Sequence, residues 1–149
     1  MSSNRMKDSI ERWLIHESHS FEFIKNSENS FHIMVKHAGK EGVPVEIFEP
    51  KKQPGIIVIG SKVIMKNNQI ARFLGFNQEE KERFEKKIGD YCYSIQAIHK
   101  IIEEDGKQKI GVYVILDDKI DINQQTLFEA VDRVSQMHEK TARFLLKTF

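Results

Sequence analysis

Hydrophobic positions recur along this chain with two different periods, and each change of period marks a new element. Met6, Ile10, Trp13 and Leu14 fall at helical spacing with charges between them, which predicts an amphipathic first helix over residues 4–18. Phe21-Glu22-Phe23-Ile24 either continues that helix or extends along a sheet. Beyond the polar cluster at 26–30, Phe31, Ile33 and Val35 alternate with His32, Met34 and Lys36, the period of a half-buried strand. Gly39-Lys40-Glu41-Gly42 then predicts a hairpin turn, because glycine supplies the positive φ that tight turns require. A second alternating run follows, Val43, Val45 and Ile47, in which Pro44 marks an edge position or a strand start. Residues 56–59, Ile-Ile-Val-Ile, are apolar on both faces and predict a strand in the centre of the sheet.

The second half returns to the helical period. Asn67 or Asn68 is placed to cap a short helical piece containing Ile70, Phe73 and Leu74, which Gly75 stops. Asn77 followed by Glu80 has the spacing of a capping box, and Phe84, Ile88, Tyr91, Cys92 and Ile95 mark one face of the helix it opens. Near 94–97 that helix gives way to a strand, since Asp105-Gly106 predicts a hairpin turn between 98–104 and 109–116, although His99 and Ile102 also fit a longer helix. Asn123 caps the last helix, whose stripe runs through Leu127, Ala130, Val131, Val134, Met137, Thr141, Phe144 and Leu145. The order is α-βββ-α-ββ-α, an α+β chain with an antiparallel sheet of about five strands packed against helices, in a single domain over 1–149.

Composition agrees with one self-sufficient core. The chain has 149 residues, 40% hydrophobic and 30% charged, and at this length folding buries roughly two thirds of the surface. A net charge of +1, from 23 basic and 22 acidic residues, lacks the positive field of nucleic-acid binding proteins, so no nucleic-acid partner is expected. Cys92 stands alone, which rules out an intramolecular disulfide framework and a cysteine-cluster zinc site and fits a reducing, cytoplasmic setting. The first residues have no apolar core of the signal-peptide kind, and no segment approaches the roughly 18 apolar residues of a membrane span, so no membrane partner is expected either.

Several stretches look chemical, and each has a plainer reading. Pro50-Lys51-Lys52-Gln53-Pro54-Gly55 suggests an anion site, but backbone capture of an anion needs converging N–H groups at a helix N-terminus. Here two prolines remove two donors and a strand follows, so the stretch reads as a turn with Lys51 and Lys52 as solvated charges. His16-Glu17-Ser18-His19 lacks the i, i+4 histidine spacing of zinc proteases and reads as a helix end. His32, His37, His99 and His138 are scattered, so no metal and no cofactor is implied. Cys92 lies on an apolar helical face, where a thiol is buried with its pKa raised. Ser61 lacks the G-x-S-x-G turn of a serine nucleophile and reads as a bulge or bend. Asp117-Asp118-Lys119-Ile120-Asp121 has carboxylates at alternate positions, but a lysine in a ligand position and no glycine make it a polar connector rather than a calcium loop. Glu79-Glu80 and Glu103-Glu104-Asp105 sit in cap and turn contexts. No catalytic residue is assigned.

The order α-βββ-α-ββ-α resembles that of class I type III secretion chaperones and the related YbjN-type proteins. Ile10-Glu11-Arg12-Trp13-Leu14, Phe31-His32-Ile33-Met34-Val35 and Val45-Glu46-Ile47-Phe48-Glu49-Pro50-Lys51 resemble an uncharacterised, largely archaeal family of domain-of-unknown-function proteins. The resemblance implies a chaperone-like sheet-and-helix fold that often dimerises. The chaperones hold an unfolded stretch of an effector and are strongly acidic; this chain is nearly neutral, so what carries over is contact with a peptide or protein.

Phe128, Leu146 and Phe149 fall off the main stripe of the last helix, which makes it apolar over a wide arc. They are the candidate surface for a partner or for a homodimer. Two functions follow as expectations. The first is a non-catalytic protein- or peptide-binding adaptor. The alternative is a small-molecule sensor or enzyme with a site built from scattered residues, for instance His32, Lys36 and Glu46 on the exposed face of the hairpin.

Overall fold

The computed structural model describes residues 2–38, 42–95, 97–104, 107–117 and 122–149, without the side chains of residues 2–4. The elements are α1 (Ser2–His16), β1 (Phe21–Phe23), β2 (Asn29–Ala38), β3 (Val43–Pro50), β4 (Ile56–Ile64), α2 (Asn67–Leu74), α3 (Gln78–Ser94), β5 (Ile98–Glu104), β6 (Lys107–Asp117) and α4 (Gln124–Thr148). The fold is α+β, with four helices and an antiparallel sheet of six strands in the order β1-β2-β3-β4-β6-β5. The sequence leads one to expect about five strands; the sixth is Phe21–Phe23, whose three residues pair with Ile33–Val35 and are too few for a period to register. Pro44 stands at the start of β3, an inner strand, and Asp105–Gly106, residues 39–41 and residues 118–121 lie outside the described residues.

The local signals act as physics requires. Asn77 accepts from the Glu80 N–H at 2.8 Å while Glu80 accepts from the Asn77 N–H at 3.1 Å, closing the capping box of α3. Asn123 and Thr126 cap α4 by the same exchange, both bonds at 2.9 Å. At α2 the cap residue is Lys66, and the Gln69 side chain accepts from its N–H at 2.8 Å, so neither Asn67 nor Asn68 has that role.

The chain divides into two compact units, 1–61 with 113–136 and 62–112 with 137–149, so that β4, β6 and α4 each run from one unit into the other. In the first unit Phe31, Ile33 and Val35 stand opposite Glu49, Ile47 and Val45, and Ile47 stands opposite Ile59. This face is sealed, with Ile33, Val35, Val45, Ile47 and Ile59 all fully buried. Ile10 and Leu14 of α1 and Leu127, Val131 and Val134 of α4 are equally enclosed, as the helical spacing of each stripe demands. Ser135 donates to the Ala38 carbonyl at 3.1 Å, fixing α4 to β2.

In the second unit Ile88 and Cys92 of α3, Ile110 and Val112 of β6, and Thr141 and Leu145 of α4 form the buried core. An aromatic cluster closes it: Phe84 lies 5.2 Å from both Phe73 and Phe149 between ring centroids, and Phe76 stacks on Phe149 at 5.9 Å. Tyr91 stacks on Phe144 at 4.4 Å.

Candidate functional site

Residues of β2 and β3 on the face opposite the core build the most polar constellation of the first unit. His32, Met34, Glu46 and Phe48 alternate with the core residues and so share this face. His32 Nε2 lies 3.0 Å from Glu46 Oε1, and His32 Nδ1 lies 3.4 Å from the Asn29 side-chain nitrogen. The amide is a donor, which makes Nδ1 the acceptor and assigns the proton to Nε2, donating to the carboxylate. His32 and Glu46 are 8% and 7% exposed, and the Phe48 ring sits 5.2 Å from the imidazole. Both ring nitrogens are therefore engaged within the chain.

Lys36 does not join them. It lies 3.9 Å from Glu22 of β1, with half its side chain exposed. Of the three scattered residues, two meet and one pairs elsewhere, because the register places Glu46 opposite Met34 and brings its carboxylate diagonally to His32.

Asn29 and Phe48 also line a half-open cavity of about 450 Å³, together with Glu28, Pro50, Lys51 and Lys52. The 50–55 stretch is a turn joining β3 to β4, as its prolines require, with Gly55 at φ +87°. Its geometry is set from below. Glu49 is fully buried, and its Oε2 accepts from the Gly55 N–H at 3.0 Å. The Glu49 Oε1 is buried with no hydrogen-bond partner among the described residues. The alternation Val45, Ile47, Glu49 already put this carboxylate on the core face, a signal that the sequence reading passed over.

The remaining candidates resolve into internal contacts. His16 and Glu17 each bond the Gln124 amide at 3.0 Å, and His19 stacks on Phe128 at 5.3 Å. Among the described residues no group of three histidines, cysteines or carboxylates could hold a metal ion. Cys92 is fully buried, and burial pushes its thiol up to about 11. Ser61 lies within β4, and its hydroxyl donates to the Pro44 carbonyl at 2.7 Å. Burial holds the His138 imidazole below its ordinary value, against the opposing charge of Glu139.

The three residues set aside as a partner surface have different surroundings. Phe128 in the first unit is half-buried under His19. In the second unit Phe149 is half-buried in the aromatic cluster, with Arg72 over its ring at 6.0 Å and donating to its carbonyl. Leu146 is 55% exposed. Two apolar side chains of the second unit are more exposed, Tyr93 at 86% and Leu74 at 58%, and Ile98 is nearly as exposed at 53%. Nothing in the sequence marks Tyr93, because one ring just past the Tyr91–Cys92 core positions fits a helical stripe as well as it fits solvent.

No described helix is long and apolar enough to cross a membrane. No curated protein matches the chain. A crystal structure of an uncharacterized protein from Methanothermobacter thermautotrophicus is similar in fold, with a TM-score of 0.75 over 99% of both chains at 15% identity. The family model that matches residues 6–145 spans all six strands and most of α1 and α4, and by it the chain belongs to the family of uncharacterized conserved proteins DUF2299.

Proposed function

We propose that this protein is a non-catalytic binding protein that takes up an extended segment of another polypeptide along β5. One observation carries the reading: β5 ends the strand order, and none of its seven residues is buried. An outermost strand presents a row of backbone N–H and C=O groups to an incoming strand, and alternate side chains then select the sequence. Ile98 at 53% exposure and Tyr93 at 86% supply apolar contact beside that row. The engaged nitrogens of His32, the buried Cys92 thiol and the bonded Ser61 hydroxyl support binding over catalysis. The likeness in element order to secretion chaperones and YbjN-type proteins points to the same class of activity. A homodimer belongs to the same proposal, with the exposed Leu146 on α4 as its contact.

The test is selection of peptides from a random displayed library, followed by amide hydrogen exchange of the chain with each selected peptide. The reading expects peptides of alternating apolar and polar residues that slow exchange at 98–104 and bind at least tenfold more weakly to Ile98→Lys, about 1.4 kcal/mol. Peptides that leave exchange at 98–104 unchanged, or a library that yields no binder, would overturn it. Sedimentation at rising concentration, with Leu146→Asp as control, tests the dimer.

A further inference from the structure

The cavity beside the β3–β4 turn is unused by a peptide on β5, and its chemistry is of another kind. Its two sides are held at fixed spacing by backbone bonds. The Lys51 N–H donates to the Glu28 carbonyl at 2.9 Å, and Asn29 stands opposite Pro50 in the β2–β3 ladder. Each flanking loop is also tied internally: the Asn26 side chain accepts from the Glu28 N–H at 2.9 Å, and the buried Glu49 carboxylate holds Gly55. The site is thus formed before any ligand arrives, which lowers the ordering cost of binding.

Its floor and rim differ in character. The floor is the Phe48 ring, kept in place by the His32 imidazole, which is itself locked between Glu46 and Asn29. At the rim stand the Lys51 and Lys52 side chains, neither of which pairs with a carboxylate among the described residues. Glu28 is the one acid on the rim, so the rim carries an excess of one positive charge. The two prolines lack an N–H and the Lys51, Gln53 and Gly55 N–H groups are already bonded, which leaves little for a backbone nest; two flexible ammonium groups over an aromatic floor need no such nest. A volume of about 450 Å³ lies within the range of small-ligand pockets.

We propose that this cavity binds a small organic anion with a flat, unsaturated body, the ring lying on Phe48 and the carboxylate or phosphate held between Lys51 and Lys52. The proposal is independent of the peptide reading, because it concerns other residues. It is tested by titrating the intact chain with three probes, naphthoate, naphthyl phosphate and the neutral naphthalenemethanol, and following backbone amide NMR signals. The expected result is that at least one anion shifts the amides of Asn29, Phe48, Lys51 and Lys52, and the tighter of the two identifies the charged group. The neutral probe binds at least about tenfold more weakly, as the loss of one charge-assisted contact requires. A Lys51→Ala/Lys52→Ala variant, altered only at exposed side chains, keeps its unfolding midpoint, loses about tenfold for the anions and nothing for the neutral probe. No shift at these amides, equal binding of neutral and anionic probes, or anion binding indifferent to the lysine substitutions would overturn the proposal.

Discussion

β3 and β5 are built from similar stock. Val43–Pro50 has three aliphatic residues and two glutamates in eight positions, and Ile98–Glu104 has three isoleucines and two glutamates in seven. In β3 Val45, Glu46, Ile47 and Glu49 are buried, whereas β5 buries none of its residues. The difference is one of position: β3 has β2 on one side and β4 on the other, while β5 has β6 alone. Composition sets what a strand could bury, and neighbours set what it does bury. The same rule separates structural from available chemistry, since the polar groups of β3 are spent on internal bonds and the edge of β5 is not.

The sharpest way to break this comparison is to cut the same side chain from both strands. Ile47→Ala removes a fully buried group from the sealed face of β3 and is expected to cost about 2–5 kcal/mol. Ile98→Ala removes a half-exposed one and should stay within about 0.5 kcal/mol. Urea denaturation of the two variants reads both. Equal losses would mean that β5 is covered in solution, and the peptide reading would lose its main support.

Burial within the second unit is checked at Cys92. Its folded pKa of about 11 lies above the ordinary 9.0, so the buried neutral thiol contributes stability that is complete below pH 9 and is lost as pH rises through 11. The loss should reach about 2–3 kcal/mol. Tyr91 is likewise raised, chiefly by burial and against the Thr141 hydroxyl, so the measurement is the difference in alkaline slope between the natural chain and Cys92→Ala. Parallel slopes would place the thiol in contact with water.

The two strands can also be compared through their glutamates. Glu46→Ala leaves the buried His32 Nε2–H without its acceptor and is expected to cost about 1–3 kcal/mol. Glu46→Gln keeps an acceptor oxygen and should recover most of that loss. At the exposed Glu103 of β5 the change to alanine should be nearly silent. A Glu46→Gln variant as unstable as Glu46→Ala would show that charge, and not the hydrogen bond alone, holds the pair.

The sequence reading succeeded where a rule is local. The capping box at 77–80, the Asn123 cap of α4, the alternation of β2 and β3, and the end of α3 before 98 all follow from patterns within about four residues. It fell short where partners are distant. The His19–Phe128 stack joins residues more than a hundred positions apart, and the Phe149 cluster draws on α2, the link after it, α3 and the residue that follows α4. For that reason Phe128 and Phe149 looked like spare apolar surface. Phe149→Ala should cost about 1–2 kcal/mol as a half-buried ring in a cluster, and Leu146→Ala less than about 0.5. Thermal unfolding distinguishes a packed residue from an available one.

The smallest effect concerns what fixes β5 at all. Glu104, at its end, accepts from Lys62 of β4 at 2.9 Å and from Lys109 of β6 at 3.2 Å. The Lys62 hydrogen bond does most to hold its carboxyl below the ordinary range, with Lys109 adding to it and partial burial opposing both. A carboxyl lowered in the folded state contributes stability above its unfolded pKa and loses it as pH falls through the folded one. Because 39% of the side chain is exposed, solvent screens the pair, and Glu104→Gln should cost less than about 1 kcal/mol near neutral pH. That difference should shrink in acid and in high salt. Hydrogen exchange should quicken at 98–104 in the variant while β3 amides keep their protection, because the ion pairs tie a strand that pairs with β6 on one side and stands last in the strand order. If β3 responds as strongly as β5, the two strands open together, and their contrast in burial is not a contrast in local stability.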